Sequence, residues 1–287
     1  MMLKYLDSVF LVVFILFCSL VSAEAAEVSV IPDEVYPGDA FMIVVRSEEY
    51  PWGRFMDRAI TFYPVKGNTY ISLCSVPYDT KPGTEKVMVR AGGTLVKDLR
   101  VRKASPVVIP ITLPEEKVAL SPEDLERVKK ENLRLSGIWS GIGAPLWEGS
   151  FKRPLNSGIS TRFGTIRVIN GKRRSLHKGT DYRGRKGIPV GAIGSGKVSL
   201  TDNLFFGGNT VIIDHGGGMY SIYMHLSGFN VHKGQTVKRD EIIGFVGSTG
   251  RATGPHLHLS VKIRGLSVNP ESLFRLPLDE IRQGRNP

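Results

Sequence analysis

The chain has little cysteine, few acidic residues in its second half, and no apolar run long enough for a comfortable membrane span. Of its 287 residues two are cysteines, Cys18 and Cys74. Cys18 sits inside the apolar stretch VFLVVFILFCSLV from Val9 to Val21. That stretch has the length of a signal-peptide core and falls short of the roughly 20 residues that cross a bilayer. Removing it leaves Cys74 as the sole thiol, which excludes an internal disulfide and predicts a buried side chain. Cysteine-dependent hydrolysis is excluded as well, because the first histidine in the chain is His177. Two other hydrolytic signatures are missing: there is no G-x-S-x-G elbow and no H-E-x-x-H helix motif. The basic residues form no helix, finger or aromatic-interleaved pattern, so nucleic acid is not an expected partner.

The N-terminus predicts export. Lys4 and the α-amine precede the apolar run, and Val21-Ser22-Ala23 and Ala23-Glu24-Ala25 both fit a cleavage site. A signal peptide is therefore expected over residues 1–25, with no membrane span left in the mature chain. Phe17 before Cys18, where a lipoprotein site takes a small residue, argues against lipidation. The expected location is the periplasm or cell envelope, with an extracellular location as the alternative.

Short β-forming runs follow: AFMIVVRS, RAITFYPV, TYISLCSV and EKVMVRAG, punctuated by Pro37-Gly38, Lys66-Gly67-Asn68, Pro82-Gly83 and Gly92-Gly93. Their spacing predicts an immunoglobulin-like β-sandwich over 26–104. Residues 105–144 read as a linker kept extended by Pro106, Pro110 and Pro114. It carries one helix, capped by Ser121 with Pro122, Glu123 and Asp124 in its first turn. Leu125, Val128 and Leu135 give that helix a narrow apolar stripe. Trp139 and Trp147 are expected to pack at the domain boundary, with a place flanking a substrate groove as the alternative.

Residues 145–287 read as β throughout, with strands expected over 191–200, 208–214 and 219–226. Here histidines gather. In GPHLHLSVKI a strand directs His256 and His258 to one face and Leu257, Leu259, Val261 and Ile263 to the other. LHKGTDYRG offers His177 and Asp181, and YMHLS offers His225. The spacing of His177 and Asp181 fits a helix face as well as a turn, but Gly179, Gly184 and Gly187 favour a turn-rich segment between strands. His215 in DHGGG and His232 in a polar loop are read as bystanders. A catalytic zinc needs three His or carboxylate ligands and one open position for water. Five such groups would leave two imidazoles free for proton transfer and oxyanion stabilisation.

These motifs, together with ISTRFG at Ile159 and KGQTV at Lys233, resemble the lysostaphin/LytM-type zinc metalloendopeptidases of peptidoglycan over about 110 residues. The resemblance implies one Zn2+ per chain held by His177, Asp181 and His258, with His225 and His256 as the unligated catalytic pair. It implies a mainly β fold, a LytM-type antiparallel catalytic domain over 145–287 preceded by the sandwich and the short helix. Peptidoglycan becomes the expected substrate, Asn209 and Tyr223 are candidates for contacting it, and the loop Gly247 to Gly254 is expected to wall the cleft. One departure is the Lys238-Arg239-Asp240-Glu241 turn, where relatives often carry glycine. The net charge of +11 fits an anionic partner such as stem peptides or wall polymers. Residues 151–287 hold 21 Lys and Arg against 8 Asp and Glu, whereas residues 1–150 hold 17 against 19. Two rival readings are a non-catalytic LytM-like regulator that binds peptidoglycan and activates a wall amidase, and a plain wall-binding module.

Overall fold

A computed structural model describes residues 25–112, 120–139 and 141–285; the expected leader, apart from Ala25, lies outside them. No helix among the described residues is long and apolar enough to cross a membrane.

Two sheets build the first half. Glu27–Ile31, Ala40–Arg46, Thr69–Ser75 and Tyr63–Lys66 form one, in that spatial order. Glu34–Val35, Thr94–Val101, Gly83–Arg90, Trp52–Phe55 and Arg58–Ile60 form the other. Phe41, Ile43 and Val45 meet Phe55, Val87, Val89 and Leu99 in one core between the sheets. Cys74 is buried there, and burial pushes its thiol up to about 11. The run AFMIVV is buried along its whole length because its other face is covered too. Ala40, Met42 and Val44, with Ile71 and Leu73, join the apolar cluster of the second half. Each large side chain so buried contributes roughly 1.5–3 kcal/mol before entropy is subtracted. The two halves therefore share a core.

The linker is more engaged than its prolines suggest. Val108–Ile111 pairs in parallel with Ile166–Ile169 as the edge strand of a three-stranded sheet completed by Arg173–Leu176. An edge position is where Pro110 can sit in a strand without breaking a ladder. The helix Pro122–Ile138 begins as its sequence requires, with Ser121 Oγ accepting from the Asp124 amide at 3.1 Å. Leu135, Ile138 and Trp139 rest on Leu200, Leu204, Ile212, Tyr220 and Ile222. Leu125, expected on the apolar stripe, is instead 44% exposed. Polar contacts fix the helix, with the Glu131 carboxylate accepting from the Phe205 amide at 2.9 Å.

The second half is built on a ten-stranded sheet. Its main path runs Ile159–Thr161, Thr180–Arg183, His256–Ile263, Met219–Phe229, Gly208–Asp214, Gly196–Leu204, Thr236–Val237. The single strand expected over 191–200 is two, Pro189–Gly191 and Gly196–Leu204. Between them the chain turns at Gly194, where a Cβ would stand 2.6 Å from the Phe151 ring. Trp147 is buried beside Phe151, and Trp139 packs edge-on to Tyr220.

Candidate active site

Three central strands bring the polar groups together. Thr180–Arg183 pairs antiparallel with His256–Ile263, placing Asp181 directly opposite His258. On the other side Met224 lies opposite His258. Leu257, Leu259 and Val261 are fully buried on the core face, so His256, His258 and Ser260 emerge together on the opposite one. Asp181 thus belongs to an interior strand, not to the turn-rich segment its glycines suggested. Gly179, beside it, must lack a side chain: a Cβ there would stand 2.5 Å from His258 Nε2.

His225 arrives by a different device. The ladder between Gly208–Asp214 and Met219–Phe229 shifts between Asn209 and Val211, and His225 takes φ 64°. This left-handed residue breaks the alternation, so Tyr223 and His225 do not share a face. Tyr223 is fully buried, its hydroxyl accepting from the Ile193 amide at 2.8 Å and lying 3.0 Å from Ser221 Oγ. It cannot touch a substrate, which corrects its candidacy. Asn209 stays half-exposed, with its Oδ1 accepting from Asn203 and its amide donating to Thr249 Oγ1.

His177 Nε2, Asp181 Oδ1 and His258 Nδ1 converge, separated by 3.0, 3.1 and 2.7 Å. Their outward contacts fix the tautomers. His177 Nδ1 faces the Arg162 carbonyl at 2.9 Å, and a carbonyl can only accept. His258 Nε2 faces Ser260 Oγ at 2.8 Å, whose hydroxyl donates to the Lys178 carbonyl. The protons of both rings therefore point away, and two bare nitrogens and a carboxylate oxygen point at one spot. Such an arrangement is repulsive without a cation, and its donor set suits zinc. Arg167, from Ile166–Ile169, grips the other carboxylate oxygen at 3.2 Å.

His225 and His256 stand beside this cluster with ring centroids 4.8 Å apart. His225 Nδ1 donates to the Thr249 carbonyl at 2.9 Å and His256 Nδ1 to the Gly254 carbonyl at 2.8 Å. Both acceptors come from the Gly247 to Gly254 loop; His225 Nε2 has no hydrogen-bond partner among the described residues, and His256 Nε2 lies 3.9 Å from Asp181 Oδ1. Burial pushes His225 down to about 4, against the hydrogen bond to Thr249. His215 lies apart, fully buried, with Nδ1 on the Ser195 carbonyl and Nε2 on Ser221 Oγ. His232 is exposed. In the basic turn, Asp240 takes φ 68°, the conformation that glycine adopts most easily.

Sequence reasoning missed Arg167, Ser260 and the Arg162 and Thr249 carbonyls. Ser260 was within reach, since it continues the face of His256 and His258 by one more step of two. The others depend on loops whose closure no local pattern specifies.

A family model described as peptidase family M23 matches residues 175–270, which contain all five groups. The chain is similar to the DD-carboxypeptidase/endopeptidase Mpg of Neisseria meningitidis, 45% identical over 108 residues, 38% of this chain and 25% of that protein. It is 47% identical over 98 residues to the peptidoglycan DD-endopeptidase ShyA of Vibrio cholerae, 34% of this chain and 23% of that one. The matched region thus spans about a quarter of these curated relatives. A crystal structure of a Pseudomonas aeruginosa protein assigned to peptidase M23 superposes with a TM-score of 0.63 at 30% identity, covering 83% of this chain and 94% of that one. That likeness extends well beyond the histidine-bearing sheet, and with it the chain belongs to peptidase family M23.

Proposed function

We propose that this protein is an exported zinc metalloendopeptidase that hydrolyses peptide bonds in the cross-links or stem peptides of bacterial peptidoglycan. The observation that carries the reading is the convergence of three proton-free donor atoms, from His177, Asp181 and His258, beside two further imidazoles, His225 and His256, each anchored through Nδ1. Zinc bound there supplies a Lewis acid for the scissile carbonyl and brings the pKa of a water to about 7.

The chain's own groups then have distinct tasks. Arg162 O and Ser260 Oγ hold the His177 and His258 rings in the ligating tautomer. Arg167 keeps one Asp181 oxygen occupied so that the other turns inward. His225 and His256, anchored through Nδ1 to carbonyls of one loop, present Nε2 to the cleft, where one takes a proton and the other donates to the oxyanion. A neutral His225 at pH 7 suits the base role. The Vibrio cholerae relative, named a peptidoglycan DD-endopeptidase, supports the substrate class, and a peptidoglycan substrate places the work in the cell wall or periplasm.

The test is digestion of defined muropeptides by residues 26–287, with products identified by mass. Wild type releases cleaved stems; His177→Ala releases none and retains no zinc; His225→Ala retains zinc but loses about 10²–10⁴-fold in kcat. Full activity of His177→Ala removes the reading.

A further inference from the structure

The open cleft beside His256 holds two cations that the chemistry above does not use. It measures about 820 Å³ and is lined by Ser160, Arg183, Arg185, Ile188 and His256, among others. Arg183 is the direct cross-strand partner of His256, and Asp181 is that of His258. Residues directly opposite in an antiparallel pair project to the same face. Arg183 therefore leaves the sheet on the face that carries the convergent cluster, one strand away from His256.

Arg183 and Arg185 are both exposed, and neither forms an ion pair with any described residue. Two acids of the surrounding elements are engaged elsewhere: Asp181 in the convergent cluster and by Arg167, and Glu271 by Arg153 and Tyr182. Two guanidinium groups that line one cleft and lack an ion-pair partner among the described residues offer charge and donors suited to a carboxylate. Ser160 Oγ is turned back to the Asp181 carbonyl at 3.2 Å and leaves the arginines as the charged wall. Ile188, 39% exposed, offers the apolar contact for an aliphatic stem.

We infer that Arg183 and Arg185 form a subsite for a free carboxylate of the peptide substrate, on the His256 side of the scissile bond. This rests on the peptidase reading of the site and adds what the substrate must carry. An amidated peptide of the same shape places a neutral group against two unpaired cations and is bound less well.

The experiment compares a synthetic cross-linked stem peptide with free carboxylates and its amidated counterpart. Wild type shows a KM for the free acid about tenfold to hundredfold lower, the scale of a lost charge-assisted contact. In R183Q/R185Q that ratio collapses toward one, with zinc content unchanged, and R183K/R185K restores part of it. Equal turnover of both peptides by wild type, or an equal loss on both in the double variant, overturns the subsite. Calorimetric binding of the two peptides to His225→Ala separates this failure from that of the peptidase reading. Carboxylate-dependent binding without cleavage by wild type sinks the peptidase reading and keeps the subsite, while binding indifferent to the carboxylate sinks the subsite alone.

Discussion

Two central strands, one in each half, follow the same alternating rule to different ends. In Ala40–Arg46 one face fills the core of the first unit and the other, through Met42 and Val44, is pressed against the second unit. In His256–Ile263 one face is equally apolar, but the other carries His256, His258 and Ser260. The first strand uses both faces for cohesion; the second gives one face to polar groups that repel one another until a cation arrives. Stability and chemistry are thus drawn from separate strands of a single connected core, and substitutions should separate them.

The largest separation is expected from one pair of variants. His258→Ala should abolish zinc binding and lower kcat/KM by more than the 10²–10⁴-fold of a proton-transfer group. Chelation should then leave its Tm unchanged, whereas wild type held at about 1,000 times its zinc Kd loses about 4 kcal/mol. Met42→Ala leaves a cavity between the halves and should cost about 2–5 kcal/mol in denaturant unfolding. Its zinc affinity and the kcat of its folded fraction should match wild type. If Met42→Ala weakens zinc as much as it weakens the fold, cohesion and chemistry are not separable in this way.

An intermediate effect distinguishes the halves by pH, since all six histidines lie at or beyond His177. Burial holds His215 down to about 4, and its unfolded value is 6.5. Between those values the unfolded chain takes up a proton that folded His215 refuses, so stability falls as pH drops from about 6.5 to about 4. The loss attributable to this one residue reaches about 3 kcal/mol at the acid end. His225, also held near 4, acts over the same window. His215→Gln should therefore reduce, by about one proton, the difference in proton uptake between unfolded and folded states, without removing the whole slope. An unaltered slope of stability against pH between 4 and 6.5 would show that His215 does not titrate on unfolding.

How much of this was legible in the sequence depends on how local each cause is. The alternation HLHLSVKI specifies which side chains share a face, and the strand has those faces. Ser121-Pro122-Glu123-Asp124 specifies a helix start, and the helix starts there. AFMIVV reads as a strand, yet nothing within it reveals that a second unit covers its other face. The error over Tyr223 has the same origin. A period of two requires an uninterrupted strand, and the positive φ at His225 with the register shift beside it reverses the direction of the side chains. Arg167 was invisible because its approach to Asp181 depends on a three-stranded sheet assembled partly from the linker.

The smallest effects are expected where the two halves touch near the site. Gly164 donates to the His177 carbonyl at 2.9 Å, and the Gly164 carbonyl accepts from Tyr78 of the first unit at 3.1 Å. Phe163 in the same turn packs edge-on to Tyr78 and lies so close to Gly38 that a Cβ there would collide with its ring. The turn carrying the Arg162 carbonyl, which sets the tautomer of His177, is therefore braced by the first unit. Arg167→Gln removes the guanidinium that grips Asp181 Oδ2 and should weaken zinc about 10- to 100-fold in competition with a chelator. Tyr78→Phe keeps the ring and loses one hydrogen bond two steps from the ligand, so the shift should be less than about tenfold. Tyr78→Ala, which also loses the ring contact, should lie between them. The absorption spectrum of the cobalt-substituted protein gives a readout that simple loss of stability would not move. A spectrum unchanged in Tyr78→Ala would mean that the first unit glues the halves together without shaping the metal's surroundings, and the contrast between the two central strands would then hold right up to the joint.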